Sequence, residues 1–216
     1  YDLIHSLQPA CLVGNNHHRP VFEGEDIQIF EKDVPGKNTA GFSKNSVVSD
    51  RLPLETCQTI YDNWGYNVTD YKYKSPEYLV RYLVQTAGKG ANLLLNIGPR
   101  PDGTLPEQSV ERLLAIGKWL KKYGETVYAT QGGCVPEQSW GVTTQKDNTL
   151  FVHVLKHQDY IFIPVSGNKL VSATTYVGGG KVTATQTKEG IVITVPENAD
   201  GGPDQVLQLN FKNSLK

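Results

Sequence analysis

Between His17 and Val48 the chain carries five acidic side chains, Glu23, Glu25, Asp26, Glu31 and Asp33, and Glu55 follows in the string Pro53-Leu54-Glu55-Thr56-Cys57. Carboxyl groups are the usual means of general acid–base catalysis. Cleavage of a glycosidic bond uses two of them, one as proton donor and one as nucleophile or water activator. The same acids equally describe a solvated loop. His17-His18 offers two imidazoles that either ligate a metal or donate to sugar hydroxyls. No nearby His or Cys completes a metal-ligand spacing, so no metal site is expected. Trp64, in Trp64-Gly65-Tyr66, reads by default as a core aromatic.

These side chains need a frame, and the segment Ala91-Asn92-Leu93-Leu94-Leu95-Asn96-Ile97-Gly98-Pro99 supplies its clearest part. The apolar run predicts a buried strand that turns sharply into a loop at Asn-Ile-Gly-Pro. Leu105-Pro106-Glu107 then opens a helix with Val110, Leu113, Leu114, Gly117 and Leu120 at helical spacing, ended by Tyr123-Gly124. Strand, loop and helix follow in barrel order, and the loops leaving strand C-termini build the active site of a parallel barrel. Upstream, residues 2–8 read as a helix stopped by Pro9, and Ala10 to Val13 as a short strand closed by Gly14-Asn15-Asn16. Thr56 to Ile60 reads as a further strand. Ser75-Pro76-Glu77 starts a helix that runs to about Thr86 with Leu79, Tyr82 and Leu83 on one face. From His17 to about Val48, Pro20, Gly24, Pro35, Gly36 and Gly41 predict one long irregular functional loop.

After Gly132-Gly133 the pattern changes. Short alternating or β-branched runs at 150–155, 160–165, 169–176, 181–187, 191–195 and 205–211 predict an antiparallel β-sandwich. The expected fold class is therefore α/β plus all-β. Residues 1–135 are expected to form part of a (β/α)8-like barrel, with too few strand–helix units to close one, and residues 136–216 the sandwich.

With 21 basic and 22 acidic residues and no long run of one sign, the composition excludes a nucleic-acid groove or a basic membrane patch. No apolar run is long enough for a bilayer span. Cys11, Cys57 and Cys134 are odd in number and far apart, which predicts three buried free thiols rather than a disulfide framework. The chain opens at Tyr1 directly into helical sequence, so it is expected to begin inside a domain.

Taken in order, Leu7-Gln8-Pro9, Gly14-Asn15-Asn16, Arg51-Leu52-Pro53-Leu54-Glu55-Thr56-Cys57, Trp64-Gly65-Tyr66 and the Gly90–Pro99 string resemble the α-L-fucosidases of glycoside hydrolase family 29. The run Glu111-Arg112-Leu113-Leu114-Ala115-Ile116-Gly117-Lys118-Trp119-Leu120 and Tyr123-Gly124-Glu125 continue the match over roughly residues 1–133. The resemblance implies a retaining exo-hydrolase acting on a fucosylated glycan, with no cofactor and with export to the periplasm, cell surface or lysosome. It places the nucleophilic Asp in a Trp/Phe-Asp-Gly type segment on an earlier barrel strand. Asp2 lacks that context, so the nucleophile is expected from an N-terminal barrel portion absent here. Of the remaining acids, Glu31 best fits the family's acid/base, standing shortly before Val34-Pro35-Gly36. Glu55 competes with it, and Glu25 is a third choice. The resemblance also sets Trp64 against the methyl side of the sugar and His17, with His18 beside it, near a hydroxyl-binding position. The alternative is a non-catalytic carbohydrate-binding module or an inert remnant without its nucleophile.

Overall fold

The computed structural model describes residues 1–16, 24–42, 47–199 and 201–215. In chain order the first elements are α1 (Asp2–Leu7), β1 (Gly14–Asn15), β2 (Ile27–Glu31), β3 (Leu54–Thr59), α2 (Pro76–Gly88), β4 (Ala91–Asn96) and α3 (Glu107–Tyr123), which runs into a 3-10 turn. Antiparallel strands follow: β5 (Gln131–Gly132), β6 (Gly141–Lys146), β7 (Thr149–Val154), β8 (Tyr160–Ile163), β9 (Leu170–Thr175), β10 (Ala184–Gln186), β11 (Ile191–Thr194) and β12 (Gln205–Phe211).

Packing divides the chain into two compact units, and the division interleaves along the sequence. The first contains residues 1–75 and 90–115, the second residues 76–89 and 116–216. In the first unit, β1, β2, β3 and β4 form a parallel sheet in that order. Phe30, Leu54 and Ala91 cluster on one face of it. The strand β2 lies inside the stretch expected to be irregular. Its alternation is masked because Gln28, a polar residue, takes a buried position. The Gln28 side chain is held there by donating to the Val47 carbonyl (2.7 Å) and accepting from the Ser49 N–H (2.8 Å).

Other sequence expectations also shift. Ala10 to Val13 is not a strand. Only Gly14 and Asn15 pair, and a Cβ on Gly14 would crowd the Ile29 side chain. The strand β4 lies at the edge of the described sheet, and Leu94, expected to be buried, is half exposed. Cys11 and Cys134 are exposed and Cys57 is half buried, so the three thiols are free but not all buried. The helix α3 turns a different stripe inward, since Ser109, Ile116, Trp119 and Tyr123 are buried while Leu114 is 69% exposed.

In the second unit, two antiparallel sheets, of order β10-β11-β8 and β5-β6-β7-β12-β9, share one core. Leu150, Val152, Ile161, Ile163, Ile191, Ile193, Leu207 and Leu209 fill it, as a sandwich requires. On β7 the alternate residues Phe151 and His153 are buried as well. Phe151 meets Tyr176, which touches Tyr123, itself stacked on Trp119. The helix α2 rests against β5 and β6, and Gly88 lies so close to Val142 that a Cβ would overlap it. His153 sits fully buried between Asp204 Oδ2 (2.8 Å) and Thr144 Oγ1 (3.1 Å), which joins β6, β7 and the start of β12.

Candidate functional site

Strand periodicity decides which side chains can meet. In a parallel sheet, residues in register project to the same face, and alternate residues along a strand share it. The register aligns Ile29 with Glu55 and Asn92, then Glu31 with Cys57 and Leu94, then Thr59 with Asn96. Glu31, Glu55 and Cys57 therefore share one face, opposite the buried Phe30, Thr56 and Gln58. The rows of Glu31 and Glu55 are one two-residue step apart, roughly 7 Å along the strands.

Glu31 is the last residue of β2, so it belongs to a strand end rather than to the irregular loop expected there. Asn16 Nδ2 donates to its Oε2 at 2.6 Å. The neighbouring Cys57 thiol is pushed above its ordinary pKa, first by burial, then by the negative charge of Glu31 and, less strongly, of Glu55.

Past the end of β3 the chain builds a loop around Trp64. Thr59 Oγ1 donates to the Asn63 carbonyl (3.0 Å), and Asn96 Nδ2 donates to the Trp64 carbonyl (2.6 Å). Asp70 Oδ2 accepts from the Asn63 N–H (3.0 Å) and Nδ2 (2.7 Å); desolvation pushes its carboxyl upward, but the bonds from Asn63 and from the Lys72 backbone together outweigh it and hold the group below the usual carboxylate range. Lys32 reaches the same loop, donating to the Asp62 carbonyl (3.2 Å) with Nζ 5.3 Å from the centre of the Trp64 ring. Beneath the loop, the Tyr61 hydroxyl donates to the Gly98 carbonyl (3.3 Å). Trp64 is 37% exposed, so it is not a core residue. With Asn63, Gly65, Tyr66, Asn67 and Val68 it lines an open hollow of about 560 Å³.

The remaining acids have other surroundings. Glu25 is buried just before β2, at the end of that strand opposite to Glu31. Asp26 accepts from the Val13 N–H (2.8 Å) and meets His5 Nε2 (2.9 Å), and these two bonds, the backbone one foremost, hold its carboxyl below the ordinary value. Asp33 is buried and accepts from the Thr39 and Ala40 backbone and the Thr39 hydroxyl, which shapes the 33–40 turn. Glu23, His17 and His18 lie outside the described residues. Among the described residues no three His, Cys, Asp or Glu side chains are grouped to hold a metal ion.

Lys32, Asp70 and Asn96 had no role assigned from the sequence. Only Asn96 carried a visible signal, at the turn of the Asn-Ile-Gly-Pro string. A strand end that closes against a neighbouring loop needs a polar side chain to satisfy that loop's carbonyls.

The alpha-L-fucosidase family model matches residues 1–125. Among curated proteins, the tissue alpha-L-fucosidase of Mus musculus is 34% identical over 170 residues, which is 71% of this chain and 35% of the relative. The plasma alpha-L-fucosidase of Homo sapiens is 38% identical over 112 residues, covering 47% of this chain and 24% of the relative. Among solved structures, alpha-L-fucosidase isoenzyme 1 from Paenibacillus thiaminolyticus superposes with a TM-score of 0.79 at 26% identity over 98% of this chain and 52% of that one. The Thermotoga maritima alpha-fucosidase bound to a mechanism-based inhibitor gives 0.72 at 27% identity, over 96% and 47%. The matched part thus spans about a third of the curated tissue relative and about half of the solved structures.

Proposed function

The chain belongs to the alpha-L-fucosidase family, and from that premise we propose that it contributes the acid/base and part of the sugar pocket of a retaining exo-glycosidase. The substrate is a terminal α-L-fucosyl group on a glycan. Residues 1–135 form the C-terminal portion of the catalytic (β/α)8-like barrel in this reading, residues 136–216 form its sandwich, and the enzyme is exported. The observation that carries the reading is the placement of Glu31 and Glu55 on one sheet face, with Glu31 at the C-terminal end of its strand, where barrel enzymes keep their chemistry.

Glu31 delivers a proton to the glycosidic oxygen as the bond to the leaving group breaks. A carboxylate from a barrel segment outside these residues attacks the anomeric carbon and forms a fucosyl ester. Glu31 then takes a proton from the water that hydrolyses the ester. The Asn16 amide, bonded to Oε2, fixes the carboxyl plane. Glu55, one row deeper, contributes negative charge to the pocket. Trp64 receives the apolar side of the sugar ring, and His17 with His18 donates to its hydroxyls.

The test uses the full polypeptide that contains this chain, assayed on p-nitrophenyl α-L-fucoside, galactoside and xyloside. Turnover is expected on the fucoside alone. Glu31→Gln is expected to slow hydrolysis of unactivated fucosides by roughly 10²–10⁴-fold, with a much smaller loss where the leaving group needs no proton. Unchanged activity on natural glycans removes Glu31 from the role. Absence of turnover on any glycoside favours a non-catalytic carbohydrate-binding module instead.

A further inference from the structure

Strand alternation assigns the residue after Glu31 to the buried face that Gln28 and Phe30 occupy. Lys32 escapes this by adopting a left-handed backbone, with φ of 57°. Side chains other than those of glycine and asparagine seldom take that conformation, and it persists where the surroundings over-determine it. Here they do: the Lys32 N–H donates to the Cys57 carbonyl (2.8 Å), the Lys32 carbonyl accepts from Gln58 Nε2 (3.4 Å), and the Asp33 carbonyl accepts from Thr56 Oγ1 (3.0 Å). Glycine is the relaxed residue for such a backbone, so a lysine there points to a use for its side chain. That side chain leaves the strand and ends on the Trp64 loop, bonded to the Asp62 carbonyl, its ammonium over the indole ring.

We propose that Lys32 is a positioning residue for the fucosidase reaction: it ties the Trp64 ring to the strand end that carries Glu31. This rests on the fucosidase reading above. An ammonium over an indole is attracted by the ring's negative face, and it leaves the opposite face for the sugar. Lys32 thereby sets where the sugar stacks relative to the proton donor, and it takes no part in proton transfer. The role belongs to binding, so its loss raises KM and spares kcat.

Three substitutions in the full polypeptide separate side chain from backbone. Lys32→Met keeps the strained backbone and the stem but removes the charge; KM for p-nitrophenyl α-L-fucoside is expected to rise five- to tenfold with kcat within twofold. Lys32→Arg restores a cation and is expected to bring KM back within twofold. Lys32→Gly relaxes the backbone, so the protein melts no lower than the parent, yet KM is expected to rise as in Lys32→Met. An unchanged KM in Lys32→Met, a parent-like KM in Lys32→Gly, or a fall in kcat with KM intact overturns the proposal. A readout independent of turnover is acrylamide quenching of tryptophan fluorescence. Lys32→Met should increase quenching, and the increase should vanish when Trp64 is also replaced by Phe. If the parent cleaves no fucoside, the fucosidase reading fails, while quenching that Lys32→Met leaves unaltered shows that Lys32 does not hold Trp64.

Discussion

Cys57 reports on the two candidate acids without taking part in their chemistry. Its thiol shares their sheet face and is held neutral by burial and by the charges of Glu31 and Glu55, in that order. A thiol pKa raised by folding favours the protonated form in the folded state. The associated stability is therefore present below the ordinary thiol pKa and is lost as pH rises through the folded value. Alkylation by iodoacetamide at pH 8.5 is expected to be slower at Cys57 than at the exposed Cys11. Glu31→Gln removes one of the opposing charges and is expected to speed alkylation of Cys57 severalfold while leaving Cys11 unaffected. Mass spectrometry of tryptic peptides over time measures both rates, and an unaltered Cys57 rate contradicts the placement of Glu31 beside it. Residue types were legible at this scale: the acids, the aromatic and the strand bearing Glu55 could all be picked out of the sequence. The position of Glu31 was not, because the buried Gln28 makes β2 look polar and irregular until its bonds to residues 47 and 49 are seen.

Elements are positioned less by their own periodicity than by the surfaces they meet, and α3 shows why. Its sequence offers an apolar stripe through Val110 and Leu114, yet both are exposed. The stripe actually buried includes Trp119 and Tyr123, because their stacked rings continue into Tyr176 and Phe151 of the sandwich sheet, a partner invisible from the helix alone. The loop after β3 follows the same rule at closer range. Gly98, at the turn out of β4, lies against the Tyr61 hydroxyl and the backbone of Gly65 and Tyr66, and a Cβ there would overlap all three. The Asn-Ile-Gly-Pro string could be read as a sharp turn, but its close approach to the Trp64 loop depends on residues more than thirty positions away. Gly98→Ala must move backbone rather than a flexible side-chain tip, so it is expected to destabilise by about 1–3 kcal/mol. At about 2–4 °C per kcal/mol for a chain of this size, that is a fall in Tm of several degrees, readable by calorimetry. An unchanged Tm means the loop is not held by this contact.

Over the whole molecule, the change of sequence character near residue 135 and the boundaries of packing do not coincide. The helix α2 and the second half of α3 precede that point but belong to the same compact unit as the sandwich. Gly88 of α2 is pressed against Val142 of β6, and Tyr123 of α3 meets Tyr176. The buried residues Leu79, Val80, Val84 and Trp119 belong to these two helices. Each fully buried side chain of this size contributes about 1.5–3 kcal/mol, so losing even three or four contacts approaches the whole stability of a typical domain, about 5–15 kcal/mol. A cut after residue 135 places the helices on one fragment and β6 to β12 on the other. Residues 1–135 made alone are therefore expected to be insoluble or to lack a cooperative thermal transition by circular dichroism. A cut that respects packing is impossible without rejoining the chain, since residues 76–89 lie between two stretches of the first unit. Production of both fragments together should restore solubility if the helix–sheet contacts are what is missing. A soluble, cooperatively melting monomer of residues 1–135 would show instead that α2 and α3 do not depend on the sandwich.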